Sequence, residues 1–206
     1  MKTLSTPLLN NEDISLLADA LLYMNMTQLR DICTLLSLPS TEKKAQLIEI
    51  IIYFIRFGSV LKLPEIPPKS RSTQYPYQPL SSTSLMLFGS YKNDAASREF
   101  FKKLIGPHFH FTAFGIDWLN DRWLQGNPPT YQEFVDYWIH ETKERKKFKV
   151  DPKKEWAFIR FLQRMQTEQP NLIQKELMKE WKQLRSQKSQ EAKALLTKVT
   201  ECLSSR

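Results

Sequence analysis

The sequence predicts an all-α protein, and three observations support this prediction. Apolar residues recur at helical spacing through residues 11–57, they do so again from about residue 95 onwards, and several helix starts carry capping residues. A proline-rich segment separates the two helical regions. We therefore predict an N-terminal helix with a helical hairpin at 1–58, a linker at 59–94, and a duplicated, basic helical domain at 95–206.

The first predicted helix begins near Asn11 and is amphipathic. Asn11 can cap it, and the carboxylates of Glu12 and Asp13 favour the positive end of the helix dipole. Its buried side consists of Leu16, Leu17, Ala20 and Leu21. The N-terminus lacks the features of a secretory signal, and the apolar run at 48–54 is too short to span a bilayer. We expect a soluble, cytoplasmic protein with no membrane partner.

Two further helices form a predicted hairpin around a Leu-Pro connector. Thr27 can cap the first helix, and Leu38-Pro39 ends it, because a proline pushes the preceding residue out of the helical region. Thr41 can cap the second helix, with Glu42 in its first turn. The apolar stripes of the two helices comprise Leu29, Ile32, Leu35, Leu36, Ala45, Leu47, Ile48, Ile51, Ile52 and Ile55. A compact pair of helices is therefore expected.

The hairpin sequence resembles the SAP motif, a small helix–loop–helix module that binds DNA or RNA. The matching residues are Leu38, Pro39, Lys43, Lys44, Ala45, Leu47 and Ile48. Ser37 and Glu42 stand where the family has glycine, and the carboxylate of Glu42 opposes an approaching phosphate. The resemblance implies a nucleic-acid contact at the hairpin. A hairpin that contacts only proteins is the alternative.

The composition changes abruptly at residues 59–94. Five prolines lie among serine, threonine and glutamine, namely Pro64, Pro67, Pro68, Pro76 and Pro79. This composition predicts an extended, partly polyproline-like spacer, and its PxxP-type spacing leaves an SH3 ligand as the alternative. Tyr75, Tyr77 and Leu80 can attach the segment to a neighbouring domain.

The region after the linker repeats itself loosely. Each predicted copy has a segment that can form a very short strand, at 108–111 or 147–150, then a tryptophan-bearing helix, a turn and a second helix containing Trp138 or Trp181. Residues 98–138 are similar to an uncharacterised bacterial family, whose members commonly place a SAP segment before an FFxxxIGxxFxF block. In this sequence, too, the SAP-like hairpin precedes the segment that resembles the FFxxxIGxxFxF block. That family implies no chemistry for this domain.

Three helix starts in this region are specified by their capping residues. These are the Thr130 and Glu133 box, the Asp151-Pro152 pair, and Asn171 with Gln174. Beyond Asn171 a helical pattern continues without glycine or proline. One long helix, or two helices broken near 186–189, would both fit this pattern.

Positive charge is concentrated in the C-terminal part of the chain. The net charge is +8 and the pI is near 9.4, and residues 143–193 hold fifteen Lys and Arg against seven Asp and Glu. Such a bias favours an anionic partner, so we expect sequence-independent binding of DNA, with RNA as a second candidate. A solvated basic surface is the alternative. The predicted binding residues are Arg30, Thr41, Lys43, Lys44, Arg122, Lys143, Arg145, Lys146, Lys147, Lys149, Lys153 and Lys154.

The sequence offers little support for catalysis. The five tryptophans lie at helical spacing beside other apolar residues, which predicts core positions, and Trp123 alone is a candidate for base stacking. His108, His110 and His140 have no acidic or cysteine ligand at metal-site spacing, and no nucleotide-binding or hydrolase motif occurs. We therefore expect no enzyme, no metal and no cofactor.

Two functions remain open on the sequence alone. The first is DNA binding, in DNA organisation or in tethering a partner to DNA, which implies nucleoid association if the protein is bacterial. The second is a protein-interaction adaptor, in which the hairpin or the linker docks a partner and the basic surface meets an acidic protein. Cys33 and Cys202 form no disulfide framework or CxxC site, which suits a reducing cytoplasm.

Overall fold

The structure is a computed structural model that describes residues 7–72, 80–147 and 151–205, except for the side chain of Lys147. The α-helices of these ranges are α1 (Asn11–Leu21), α2 (Met26–Leu35), α3 (Lys44–Phe57), α4 (Ala95–Ile105), α5 (Ala113–Leu124), α6 (Tyr131–Lys147), α7 (Ala157–Glu168) and α8 (Gln174–Ser204). A 3₁₀ turn lies at Pro68–Ser70. The all-α prediction is confirmed. No strand forms at 108–111, and residues 148–150 of the other suggested strand lie outside the described ranges.

Two compact units divide the chain differently from the three predicted parts. Unit 1 comprises Met1–Lys62 and Asp151–Arg206, and unit 2 is Leu63–Val150. The predicted C-terminal domain is therefore split, with its first copy in unit 2 and its second copy in unit 1. The physical reason is the apolar stripe of α8, which packs against α1 and carries the end of the chain back to the N-terminal helices.

Unit 1 is built from α1, α2, α3, α7 and α8. Helix α1 packs against α3 and α8, α2 packs against α3, and α7 packs against α8. Helix α8 is one unbroken helix of 31 residues, so there is no break near 186–189. Its buried side chains are Ala192, Leu195, Leu196 and Val199. Ion pairs from Lys188 to Asp19, at 2.9 Å, and from Lys198 to Asp13, at 3.1 Å, flank the apolar contact with α1.

Unit 2 has an aromatic core that includes part of the predicted linker. The core side chains are Met86, Tyr91, Phe101, Phe109, Leu119, Trp123, Tyr131, Phe134, Val135 and Trp138. The indole N–H of Trp123 donates to the carbonyl of Met86 at 2.6 Å, and Ser70 is fully buried. Residues 63–72 and 80–94 thus belong to a packed unit and do not form a spacer. Residues 73–79, with Tyr75, Tyr77, Pro76 and Pro79, lie outside the described residues.

One of the predicted helix caps is confirmed. The Thr130 amide donates to Glu133 Oε2 at 2.7 Å, and the Glu133 amide donates to Thr130 Oγ1 at 3.1 Å, so these two residues form a capping box. The first two helices begin one or two residues earlier than predicted. Asn10 rather than Asn11 caps α1, and Asn25 rather than Thr27 caps α2. In both cases the asparagine side chain accepts the amide N–H three residues later, which is the geometry of an N-cap.

The remaining predicted starts were wrong. Helix α3 begins after Lys43 and not after Thr41, since the Gln46 side chain accepts the Lys43 amide at 3.3 Å. Helix α7 begins after Trp156, because a turn at Lys153 intervenes between Asp151 and the helix. The N-cap of α8 is Ile173 and not Asn171, as the Glu176 carboxylate accepts the Ile173 amide at 3.3 Å.

Candidate nucleic-acid interface

Helix α7 carries two arginines along the border of a cleft in unit 1. Ala157, Phe161 and Met165 are buried at successive turns of α7, which places Arg160 and Arg164 on a neighbouring, exposed face. Lys154, just before the helix, completes the set. The cleft has a volume of about 200 Å³ and is lined by Asp19, Leu22, Tyr23, Lys154, Ala157, Arg160, Phe161 and Arg164. We call it the α7 cleft.

The α7 cleft is positively charged, because its one carboxylate is already paired. Asp19 accepts from the Lys188 ammonium at 2.9 Å, and the same ammonium contacts Glu191 at 2.9 Å. These hydrogen bonds raise the pKa of Lys188 above its ordinary value. Arg164 lies 3.8 Å from Glu168 at an exposed position, where an ion pair contributes little. Three cations therefore line a cavity with one carboxylate, and that carboxylate already shares the Lys188 ammonium with Glu191.

The chemistry of the α7 cleft suits a phosphate group. A guanidinium group presents N–H donors in a planar fork that matches two phosphate oxygens, and an ammonium group adds a compact positive charge. Arg160 and Arg164 are four residues apart on α7, so their side chains emerge on the same face. Lys154 approaches the cavity from the start of the helix.

Several of the predicted binding residues also lie in unit 1. Arg30, Thr41 and Lys43 are exposed on the hairpin of α2 and α3, and Lys43 stands at the N-cap of α3. Lys153 is half-buried, with its Nζ 5.6 Å from the centroid of the Trp156 ring. Of these predicted residues, Lys154 is the one that lines the α7 cleft.

Lys44 is half-buried and hydrogen-bonded to the backbone, whereas its neighbour Lys43 is exposed. Its Nζ donates to the Leu22 carbonyl at 2.6 Å, at the C-terminal end of α1. A cation favours the negative end of the helix dipole at this position. Burial lowers the pKa of Lys44, and nearby Glu155 partly offsets that effect. The ammonium thus links α3 to α1.

Unit 2 holds Arg122 and Arg145 in a ladder of aromatic rings between α5 and α6. The Arg122 guanidinium lies 5.6 Å from the centroid of Trp118, which stacks on Tyr137 at 4.4 Å with ring planes 10° apart. The ring of Phe114 follows at 6.3 Å from Tyr137, and the Arg145 guanidinium lies 4.6 Å from Phe114. We call these five residues the arginine–aromatic ladder.

Polar contacts hold the two arginines of the ladder in place. Both terminal nitrogens of Arg122 donate at 2.9 Å to the side-chain oxygen of Asn127 when that amide is oriented to accept. Arg122 also lies 3.8 Å from Glu133 at the start of α6. Arg145 Nε donates to Glu141 at 3.1 Å. Both guanidinium groups therefore stabilise the packing of α5 against α6.

The other predicted cations of unit 2 lie near the end of α6. Lys143 and Lys146 are exposed. The backbone of Lys147 ends the helix, but its side chain lies outside the described structure, as does all of Lys149. In the described part of unit 2, two lysines of the predicted binding set are thus exposed, Lys143 and Lys146.

Two exposed arginines of α7 and three exposed lysines in the first turns of α8 were not among the predicted binding residues. These are Arg160 and Arg164 on α7 and Lys175, Lys179 and Lys182 on α8. Their spacing in the sequence indicates that they share helix faces. Arg160 and Arg164 are four residues apart, and the three lysines follow an i, i+4, i+7 pattern that places them on one helix face. Charge density along the chain, which guided the prediction, does not detect such spacing.

Trp123, the tryptophan named as a candidate for base stacking, is not accessible. Trp123 is 7% exposed and belongs to the aromatic core of unit 2. His108 and His110 each lie with their rings 5.9 Å from Trp138. Within the described ranges, no group of three or more His, Cys, Asp or Glu side chains is placed to hold a metal ion.

None of the helices in the described ranges has the length and apolarity that crossing a bilayer requires. Comparison with known proteins gave no match to a family model, to a curated protein or to a solved structure.

Proposed function

We propose that this protein binds double-stranded DNA through phosphate contacts, largely independently of base sequence. The observation that carries the proposal is the α7 cleft, in which Lys154, Arg160 and Arg164 face one cavity. Contacts from such side chains to phosphate position a protein on nucleic acid without reading its bases. RNA offers the same phosphate chemistry and is a competing ligand.

The hairpin supplies a second point of attachment in this proposal. Lys43 is exposed at the N-terminus of α3, where the helix dipole adds to its charge. Ser37, at the position of the first SAP glycine, has a φ of 54°, a left-handed conformation that glycine adopts without strain. This conformation supports a SAP-like turn. Glu42 weakens the field of Lys43, so we assign the hairpin a smaller contribution than the α7 cleft.

Exposed lysines extend the proposed contact surface of each unit. Lys175, Lys179 and Lys182 lie along α8 in unit 1, and Lys143 and Lys146 lie near the end of α6 in unit 2. Sequence-independent binding of this kind suits DNA organisation or the tethering of a partner to DNA, in the cytoplasm and, in a bacterium, on the nucleoid. It requires no catalytic step, metal ion or cofactor.

A protein-interaction adaptor is the second candidate function. The apolar side chains of Leu16, Leu35 and Phe57 are 48%, 61% and 47% exposed, and each belongs to one of the first three helices. An apolar partner that binds these helices would leave the protein free of nucleic acid during purification. A low ratio of absorbance at 260 nm to 280 nm at moderate salt would therefore favour the adaptor.

Fluorescence anisotropy with unrelated labelled duplexes tests the DNA-binding proposal. If about five phosphates are neutralised, the logarithm of the affinity should fall with the logarithm of salt concentration with a slope of about −4 to −5. Replacing Lys154, Arg160 and Arg164 together with Glu should weaken binding to every duplex by on the order of 100-fold and reduce the slope by about 3.

A matched variant controls for the change in net charge. Arg56, Lys62 and Lys193 are exposed in unit 1 and do not line the α7 cleft. Replacing these three with Glu changes the net charge equally, and we expect a much smaller loss of affinity. Absence of binding at low salt, binding that does not respond to salt, or an equal loss in the two variants would contradict the proposal.

A further inference from the structure

A second cavity in unit 1, with a volume of about 360 Å³, adjoins the α7 cleft. Its aromatic lining consists of Tyr23, Trp156, Phe158 and Trp181. The ring of Trp181 lies 5.7 Å from that of Tyr23 and 5.1 Å from that of Phe158, so these three rings form a continuous aromatic surface. We call this cavity the aromatic groove. Its volume lies within the range of small-ligand sites.

Two of these aromatic side chains keep much of their surface accessible. Trp156 and Phe158 are each 36% exposed, whereas Trp123 and Trp138 of unit 2 are 7% and 2% exposed. The Lys153 ammonium lies 5.6 Å from the centroid of the Trp156 ring. An accessible aromatic face close to a cation is the kind of surface on which bases of single-stranded nucleic acid stack.

The aromatic groove and the α7 cleft share a wall. Leu22, Tyr23 and Ala157 line both cavities. A candidate anion-binding site and a candidate stacking site therefore lie on the two sides of the same few residues. In a nucleotide, the base and its phosphate are likewise separated by a single sugar.

The polar groups of the groove suit a base better than a phosphate. Its two cations are held by acceptors of the protein, since Lys44 donates to the Leu22 carbonyl and Arg185 donates to the Gln28 side chain at 3.3 Å. The carboxylate of Glu155 also lines the groove. A carboxylate repels phosphate but accepts N–H groups from the edge of a base.

We infer that the aromatic groove takes one unstacked nucleobase of a single strand, whose phosphate lies in the α7 cleft. This inference rests on the proposed function and adds to it a preference for single-stranded or locally opened nucleic acid. Charge complementarity favours this occupant over an apolar peptide, because the cavity that shares a wall with the groove is lined by three cations. A strand that carries a phosphate beside each base matches both cavities.

Single strands of equal length and equal charge test the inference with the full-length protein. One strand carries bases and the other is abasic, and the readout is the ratio of their affinities by anisotropy. We expect the wild-type protein to prefer the strand with bases by about tenfold. Trp156→Ala should bring this ratio close to one, while Trp156→Phe should keep most of it. Phe57→Ala, which removes an exposed aromatic ring outside the groove, should leave the ratio unchanged.

The outcomes separate the two proposals. If duplex binding is salt-dependent and requires the cations of the α7 cleft, but the wild-type protein binds both single strands equally, the groove takes no base and only this inference fails. The same conclusion follows if Trp156→Ala keeps the preference, and an apolar peptide is then the better candidate for the groove. If no strand and no duplex binds, the proposed function itself fails.

Discussion

Two arginines in each unit have different surroundings. In unit 2, Arg122 and Arg145 lie over aromatic rings and bond to acceptors of their own unit. In unit 1, Arg160 and Arg164 line an open cleft, and the contacts of the exposed Arg164 with Glu168, at 3.8 Å, and with the Phe161 ring, at 5.9 Å, are long. Arginines of the first kind hold two helices together, and those of the second kind are available to an anionic partner. The charge of a side chain therefore says less about binding than the acceptors and rings that surround it.

The largest expected effect comes from exchanging arginine for methionine in each unit. Arg122→Met should lower the free energy of unfolding by about 2 kcal/mol, because it removes the bonds to Asn127 and the contact with Trp118. Arg160→Met is an exposed change and should stay within about 0.5 kcal/mol of wild type. DNA affinity should show the reverse pattern, with Arg160→Met weaker by several-fold and Arg122→Met unchanged. Urea denaturation and anisotropy measure the two quantities.

The same two variants can also contradict the proposed difference between Arg122 and Arg160. Equal destabilisation by the two changes would show that the contacts of Arg122 contribute little to the stability of unit 2. Loss of DNA affinity in Arg122→Met, at unchanged stability, would show that the arginine–aromatic ladder itself belongs to the binding surface.

The helical character of the chain and one helix cap could be predicted from the sequence, whereas the other helix starts and the long-range packing could not. The box of Thr130 and Glu133 is a contact between residues three apart, so its signal lies within one helical turn. The return of α8 onto α1 depends on the fit of two apolar faces far apart in the chain. No local pattern specifies which face packs on which, and the predicted domain boundaries therefore differ from the observed units.

The candidate site shows the same limit. The role of Arg122 depends on Asn127 and Glu133, whose positions follow from the packing of α5 against α6. The partial burial of Lys44 is a second case. Lys44 precedes the buried Leu47 and Ile51 by three and seven residues, but the exposed Lys43 precedes the buried Leu47 and Ile50 by four and seven. The helical period alone therefore does not distinguish the two lysines.

A smaller effect is expected at alkaline pH, where the buried tyrosines of unit 2 and Lys44 of unit 1 should act with opposite signs. Burial raises the pKa of Tyr131 to about 12 in unit 2, and burial also raises the pKa of Tyr91. The unfolded chain therefore loses the two phenolic protons at a lower pH than the folded protein does. The free energy of unfolding consequently falls as the pH rises above 10. Tyr131 alone should lower the free energy of unfolding by roughly 1.3 kcal/mol between pH 9 and pH 11. The lowered pKa of Lys44 in unit 1 acts oppositely, since the folded state releases that proton first and gains stability as the pH rises towards 10.5.

Urea denaturation of the wild-type protein and Tyr131→Phe at several pH values measures how much the ionisation of Tyr131 lowers the free energy of unfolding. The phenylalanine variant cannot ionise, so its stability should fall less steeply above pH 10 than that of the wild-type protein. Parallel curves for the two proteins would show that Tyr131 ionises as readily in the folded state as in the unfolded chain.

The smallest expected effect separates two adjacent lysines of the hairpin. Lys43→Ala should reduce the salt slope of duplex binding by about 0.9 and the affinity by roughly two- to threefold, because one exposed phosphate contact is lost. Lys44→Ala should leave the slope unchanged and lower the free energy of unfolding by about 1 kcal/mol, because the Leu22 carbonyl loses its donor. Lys43→Arg keeps the charge and serves as the control. If Lys44→Ala alone reduced the slope, the ammonium would have to leave Leu22 when DNA binds, and the hairpin would contact phosphate through the residue that now links α3 to α1.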